Sequence, residues 1–479
     1  MARPTVKPGN WLFLSGLVLL GLLIYIGLDR GAAVVGDTEV VIDGSRAVVS
    51  CLSRGVFINC NRAIATAGTV VGPYPAIQYV LAVAARWLGV GDKGVLTGFL
   101  ALSALGVLSM PLLFCYASWK GGWPEVKHLG LLLILTSPFI WYGSSSFAEP
   151  MAAALLLAMV VVMVCRCHPI LILATALTAG LTKEFVPPIA AVIAVIGLFM
   201  SRPIRDNIRR SAAVLMGALM AAIFNAAFNI FRFGTPLNTD YSLPLLRTPP
   251  GLRMNFFTAL WVSPNAGILW FWPLAVILLC IGVAFGIKII SRSPIEAVAG
   301  ISTGGALLAI SIGLGAWFAP FGWAAWGPRL LLPYIPALTF LVWVAYRFRF
   351  AELLKVRKSR PRMVALMSIG AVIAVMSIPQ AWSAFNGPEV LNGFFGQNER
   401  CPRPLVIQVD ADYYYECIQY LTWTKRPFLL RDASTQIPTT WAFPLGAIHL
   451  LMVGASARRF ITSIHSLQVS VPARVGNSG

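Results

Sequence analysis

Apolar residues dominate this chain in runs of about 15 to 24, each apolar around its whole circumference and not along one stripe. A helix hydrophobic on every side belongs in a large core or in lipid. Some 20 residues at 1.5 Å each match the roughly 30 Å hydrocarbon layer of a bilayer. Backbone N–H and C=O groups inside that layer must pair internally, which makes helices the natural form of such runs. The pattern predicts spans at Trp11–Leu28, Val95–Trp119, Leu129–Gly143, Pro150–Val164, Leu171–Leu181 and Pro188–Met200. It continues with Ala212–Phe231, Ile268–Ile287, Ala297–Trp317, Leu330–Tyr346, Met363–Pro379 and Ala442–Gly454. The expected fold class is therefore an all-α polytopic membrane protein of about 12 transmembrane helices, with both termini on one side. The shorter run Pro75–Trp87 follows a turn-rich loop and is expected to be an interfacial or re-entrant helix.

Composition agrees: 58% of residues are hydrophobic, only 11% are charged, and the mean hydropathy is +0.77. Charge then sets the orientation. With the N-terminus inside, the cytoplasmic segments are 1–10, 120–128, 166–169, 201–211, 288–296, 347–362 and 455–479. These hold 2, 2, 1, 4, 2, 7 and 3 basic residues, or 21 of the 37 Lys and Arg, against four of the 18 acids (Glu125, Asp206, Glu296, Glu352). Basic residues favour the cytoplasmic side, so several connectors support one orientation. The net charge of +19 then reflects topology and anionic lipid and not nucleic acid, because the basic clusters flank spans.

The eight cysteines divide in two groups. Cys115, Cys165, Cys167 and Cys280 fall in spans or on the inner side. Cys51 with Cys60, and Cys401 with Cys417, form two close pairs in outer segments and suggest local disulfides in an oxidising compartment. The C-x-C-H spacing of Cys165–His168 misses the usual zinc patterns and reads as a helix end. The chain thus divides into a transmembrane module, 1–379, a small extracytoplasmic domain, 380–441, and a last helix with its tail, 442–479. The small domain carries a strand-like run, Leu405–Val409.

Chemistry is expected where ionisable residues meet the apolar runs, since a charge at mid-membrane costs on the order of 3 kcal/mol. Lys183 and Glu184 interrupt an apolar stretch and precede Pro187-Pro188, which forces a break. They form either a short hairpin with a local ion pair or a cation held to meet an anion. Arg329 follows three tryptophans at the mouth of a span, as an interfacial anchor or as a fork for phosphate oxygens. Asp37, Glu39 and Asp43 lie just outside the first span, either solvated or with one serving as a general base. Arg46 lies beside them, and Glu149 is the only acid of the next outer loop.

Several of these elements occur in an order that resembles the GT-C superfamily of membrane glycosyltransferases, in particular the bacterial branch related to aminoarabinose transferases and protein mannosyltransferases. The resemblance begins with one span and a long outer loop with acids ahead of Ala47-Val-Val-Ser-Cys-Leu-Ser-Arg-Gly55. It continues with Gly72-Pro-Tyr-Pro-Ala-Ile-Gln-Tyr79, which contains Tyr74 and Tyr79, and with Leu181-Thr-Lys-Glu-Phe-Val-Pro-Pro188. Ser263-Pro-Asn-Ala-Gly-Ile-Leu-Trp-Phe-Trp-Pro273, with Asn265, and Trp326-Gly-Pro-Arg-Leu-Leu-Leu-Pro333 complete it. It covers roughly residues 1–350. The family's first loop often has adjacent acids, whereas here they are spaced as Asp37, Glu39 and Asp43.

The resemblance implies transfer of a hexosyl or pentosyl group from a polyprenyl-phosphate donor to an outer lipid, glycan or protein acceptor, with inversion, in a bacterial inner membrane. Lys183 and Arg329 would bind the donor phosphate, and Asp43 or Asp37 would be the base. Tyr74, Tyr79, Trp323 and Trp326 would stack on sugar or, individually more in keeping with the sequence, sit in the aromatic belt. No cofactor is called for with certainty. Metal-dependent members add carboxylates in the second outer loop, and Glu149 alone is thin support for a divalent metal. The competing class is a secondary transporter or flippase, which also suits twelve spans, though no internal repeat is evident.

Overall fold

The computed structural model describes residues 8–64, 70–146, 148–199, 204–238, 248–322, 326–354, 360–385, 401, 410–423 and 439–469. In chain order its principal helices are α1 (Pro8–Asp29), α2 (Gly36–Ser53), α3 (Ala76–Trp87), α4 (Asp92–Gly121), α5 (Pro124–Leu135), α6 (Glu149–Val164), α7 (Pro169–Thr182) and α8 (Val186–Phe199). There follow α9 (Ile204–Phe233), α10 (Pro250–Val262), α11 (Pro273–Ile289), α12 (Pro294–Gly315), α13 (Ile335–Leu354), α14 (Arg360–Trp382), α15 (Ala411–Trp423) and α16 (Thr439–Val469).

Proline sets many of the starts. Pro124, Pro150, Pro169, Pro250, Pro273 and Pro294 each stand in the first turn of a helix. The missing N–H costs nothing there and the fixed φ favours entry. Each expected span falls on helix, but three are divided. The run expected at Leu129–Gly143 ends as α5 at Leu135, and a separate turn, Phe139–Tyr142, follows Pro138. The run expected at Ile268–Ile287 is a turn at Ile268–Phe271 and then α11, because Pro273 cannot continue the ladder. The run expected at Leu330–Tyr346 opens with a 3-10 turn, Leu332–Tyr334, before α13, which kinks at Tyr346.

Among the described residues five helices are long and apolar enough to cross a membrane: α1, α4, α9, α12 and the Met367–Phe385 part of α14 with its following turn. The apolar helices α6, α7, α8 and α11 are shorter. This is a multi-pass helical bundle. Its core gathers α4 against α5 and α6, α7 and α8 against α9, and α11 against α12 and α13. Close approach decides where α6 begins. A Cβ on Gly106 of α4 would lie 2.7 Å from the Pro150 backbone carbon, so only glycine lets α4 pass the first turn of α6 this closely.

A second, smaller core belongs to the segment between α1 and α4. Val41, Val48, Cys51, Cys60, Tyr79 and Val83 pack together there, with Phe228 and Phe231 of α9 against them. A disulfide joins Cys51 to Cys60 inside it. Three helices, α2, α10 and α15, occupy stretches where the sequence predicts no particular helix. The second disulfide, Cys401–Cys417, ties one turn of α15 to the chain ahead of it. The strand-like run Leu405–Val409, most of the 380–441 domain and Trp323 lie outside the described residues.

Candidate active site

Four charges from four separate segments meet where the unit between α1 and α4 rests on the bundle. Glu149, at the first turn of α6 and 1% exposed, takes Lys183 Nζ at 2.5 Å and Arg329 Nε at 2.9 Å on the same oxygen, Oε1. Arg329 also donates from Nη2 to Asp37 Oδ2 at 2.5 Å and from Nη1 to the Gly322 carbonyl at 3.0 Å. The Tyr74 hydroxyl donates to the other oxygen of Asp37, Oδ1, at 3.0 Å. Glu149 Oε2 is buried without a hydrogen-bond partner among the described residues.

Local sequence explains why each group arrives. Asp37 is in the first turn of α2, where a negative charge is favoured by the helix dipole. The approach to that helix is stitched to the segment ahead of α6. Ala33 N–H donates to Ser144 O at 3.1 Å and Ser146 N–H to Ala33 O at 3.0 Å. The Thr38 hydroxyl donates to Ser146 O at 2.9 Å. Lys183 is the extended residue ending α7, and the following prolines open α8. Arg329 follows Gly327, whose φ of +79° suits glycine and whose Cβ would sit 2.9 Å from the Phe271 ring.

Electrostatics fix the resting charges. Burial works against ionised Glu149, but Arg329 and then Lys183 outweigh it and hold the carboxyl down at about 2. Burial likewise opposes charge on Arg329, yet Glu149 and Asp37 more than offset this, and its value is raised. The cluster of two carboxylates and two cations is neutral as it stands. Its cations can meet a phosphate group, and Asp37, the more exposed acid at 28%, can exchange a proton with solvent or a bound hydroxyl.

A second polar knot lies behind the first. Arg232, 1% exposed near the end of α9, donates to the carbonyls of Gly72 at 2.8 Å and Tyr74 at 2.7 Å, and to Glu184 Oε1 at 3.1 Å. Asn238 donates to Pro73 O at 3.0 Å and to Glu184 at 2.8 Å. Burial raises the Glu184 carboxyl, opposed by Asn238 and Arg232. The knot binds the turn that carries Tyr74 to the break that carries Lys183. Sequence reasoning passed over Arg232 and Asn238. Arg232 closes an apolar run like any interfacial basic residue, and only its depth marks it out.

The other expected residues lie apart from the cluster. Asp43 pairs with Arg46 at 3.1 Å on the exposed side of α2, and Arg46 reaches Asp92 as well. Six residues of helix separate Asp37 from Asp43, a rotation of about 240° that takes Asp43 away from Arg329. Glu39 is exposed. Tyr79 is fully buried against Phe228 and donates to Gly72 O at 3.2 Å, so it braces the turn instead of facing lipid. Trp326 is not in an aromatic belt either. It is 1% exposed, donates to Gln380 Oε1 at 2.6 Å, and packs edge-on with Phe271. Asn265 holds α15 in place through the Leu421 carbonyl, 2.6 Å away.

Both carboxylates of the cluster are already met by Lys183 or Arg329, and among the described residues no three His, Cys, Asp or Glu side chains converge on a point.

No protein-family model matches the chain, and no curated protein matches it in sequence. Solved structures similar to it include ArnT from Cupriavidus metallidurans bound to undecaprenyl phosphate, at 14% identity and a TM-score of 0.44, covering 97% of this chain and 78% of that one. The apo form of the same ArnT gives 14% identity and a TM-score of 0.43, covering 95% and 76%.

Proposed function

We propose that this protein is an integral-membrane glycosyltransferase that moves a hexosyl or pentosyl group from a polyprenyl-phosphate donor to an acceptor hydroxyl on the outer face of a bacterial inner membrane. The observation that carries the reading is the convergence of Asp37, Glu149, Lys183 and Arg329 at one end of an apolar bundle. Twelve spans with both termini cytoplasmic, and an oxidising compartment around the two disulfides, complete the topology. The acceptor is a lipid, an envelope glycan or a protein.

In this reading the donor phosphate lies against Lys183 and Arg329, taking hydrogen bonds those cations now give to carboxylates. The acceptor oxygen attacks the anomeric carbon as the bond from that carbon to the phosphate oxygen breaks, and the configuration inverts. The acceptor proton passes to Asp37, and polyprenyl phosphate leaves with the bonding pair. Proton and charge balance favour this pairing of roles. As charge builds on the phosphate, Asp37 becomes neutral and frees Arg329 to hold the leaving group. Tyr74 orients Asp37 through Oδ1. Glu149 sets the spacing of the two cations without itself reacting.

The test is a reconstitution with purified protein and a panel of polyprenyl-phosphate sugars, following release of polyprenyl phosphate. Asp37→Asn is expected to lower turnover by roughly 100-fold or more, the range of general-base loss, and Asp43→Asn by less than about 3-fold. The reverse ranking would remove Asp37 from the role. No release from any donor, together with flux of a polar solute across the vesicles, would replace the enzyme by a transporter.

A further inference from the structure

The unit between α1 and α4 leaves apolar side chains uncovered on one loop. Residues 54–59 turn the chain back after α2, and the Cys51–Cys60 disulfide closes the turn. Phe57 and Ile58 at its tip are 67% and 66% exposed, although the backbone on both sides is held. Val56 N–H donates to the Cys51 carbonyl at 2.9 Å, and Asn59 N–H donates to the Ile230 carbonyl of α9 at 3.1 Å. The turn that follows α9 stands alongside, since a Cβ on Gly234 would lie 3.2 Å from that of Asn59. It is pinned as well: the Asn229 side chain donates to Pro236 O at 3.1 Å, yet Leu237 is 67% exposed. Three large apolar side chains thus project from two fixed stretches of backbone.

Helix α9 gives the depth of this patch. Between Arg210 and Arg232 it carries no charge over residues 211–231. At 1.5 Å per residue that stretch is about 31 Å long, the thickness of the hydrocarbon layer. Its last turn, with Ile230, therefore lies where acyl chains meet headgroups. Ile58 and Phe57 are one and two residues from the Asn59 contact, which keeps their backbone within roughly 7 Å of that boundary. Arg54 and Arg62 flank the tip in sequence and are both exposed. Apolar side chains between long cationic ones suit a membrane surface: the former enter the acyl region while guanidinium groups reach phosphates.

We propose that this loop inserts Phe57 and Ile58, with Leu237 beside them, into the phospholipid leaflet at this end of the bundle, and that Arg54 and Arg62 bind lipid phosphates there. The disulfide and the Ile230 contact fix the loop to α9. The leaflet then helps to hold the unit that carries Asp37 and Tyr74 against the bundle. The contact is with bulk lipid and stands independently of the reaction at the ionic cluster.

The test uses the full-length protein in nanodiscs, with a trifluoromethyl-phenylalanine encoded at position 57 in one protein and at position 58 in another. Fluorine line broadening is read with a nitroxide on the upper acyl chain and with a water-soluble gadolinium chelate. Discs of phosphatidylglycerol and of phosphatidylcholine are compared. The acyl nitroxide is expected to broaden the signal at least about threefold more than the chelate, as for a side chain below the headgroups. The folded Arg54→Gln, Arg62→Gln protein is expected to lose about half of that effect, most of all in phosphatidylglycerol. Stronger broadening by the chelate at both positions overturns the proposal, as does unchanged depth in the folded double variant. Protection from both reagents that rises with the number of copies per disc assigns the patch to a second copy of the chain and also overturns it. The two labelled proteins read the loop separately, so one that folds is sufficient.

Discussion

Replacing Glu149 by Gln removes one charge while keeping shape, and two routes give the size of the effect. The carboxyl is held at about 2, against an ordinary 4.5, by Arg329 and Lys183 working against burial. A difference of this kind is worth on the order of 3 kcal/mol near neutral pH. Removing one member of a buried ion pair independently costs about 3–5 kcal/mol, because the partners stay buried without their counter-charge. Both routes therefore predict a loss of about 3 kcal/mol for Glu149→Gln, measured by reversible unfolding in mixed micelles. The pH dependence has a definite sign. A carboxyl whose folded value is depressed stabilises above its unfolded value and loses that contribution as pH falls toward the folded one. Wild type should therefore lose stability between about pH 4.5 and 2, and the variant should lack that part of the slope. Adding Lys183→Met to the variant should cost less than the same change in wild type. A loss below about 1 kcal/mol, or matching acid profiles for both proteins, would refute the network as the source of the stability.

Arg232→Gln should cost about 3 kcal/mol, since it takes the buried guanidinium away from Glu184 and from the Gly72 and Tyr74 carbonyls, and should lower transfer through the displaced Tyr74; unfolding and turnover assays on the same preparation check both effects. Gly327→Ala should cost about 1–3 kcal/mol from its positive φ and the approach to Phe271, and weaken transfer through Arg329. Cys51→Ser with Cys60→Ser opens a nine-residue separation and should destabilise by about 2–3 kcal/mol, read by thermal unfolding with and without reductant.

How the site could be read from the sequence differs from residue to residue. Lys183, Arg329 and Glu149 stand out because each interrupts or borders an apolar run, where an ionisable group is expensive. Their mutual pairing is invisible, since it joins positions as far as 180 residues apart. Asp37 and Asp43 are indistinguishable while their segment is taken for a loop. Once it is a helix, its turn separates them onto different faces, and the spacing of the acids becomes informative. The apolar residues of α2 do follow a helical period, with Val41, Val48 and Cys51 buried, but the acids among them obscured it. Helix positions were legible from length and hydropathy, whereas their breaks depended on Pro138, Pro273 and Pro333. Trp326 shows the opposite limit, because a tryptophan beside an apolar run is the same letter in a lipid-facing belt and in a buried brace.

The ion-pair network also constrains the order in which the chain can be built. Lys183 follows Glu149 by 34 residues, whereas Arg329 follows Asp37 by 292. At about 5–20 residues per second of synthesis, Asp37 waits roughly 15 to 60 s for its guanidinium partner. Glu149 needs only about 2 to 7 s for its ammonium partner. The early pair can therefore neutralise the more deeply buried acid of the cluster while the bundle is still incomplete. The half of the cluster that includes Asp37 closes only after Arg329 has been made, so a ribosome-bound chain short of Arg329 would carry an assembled scaffold and an open, half-paired cluster.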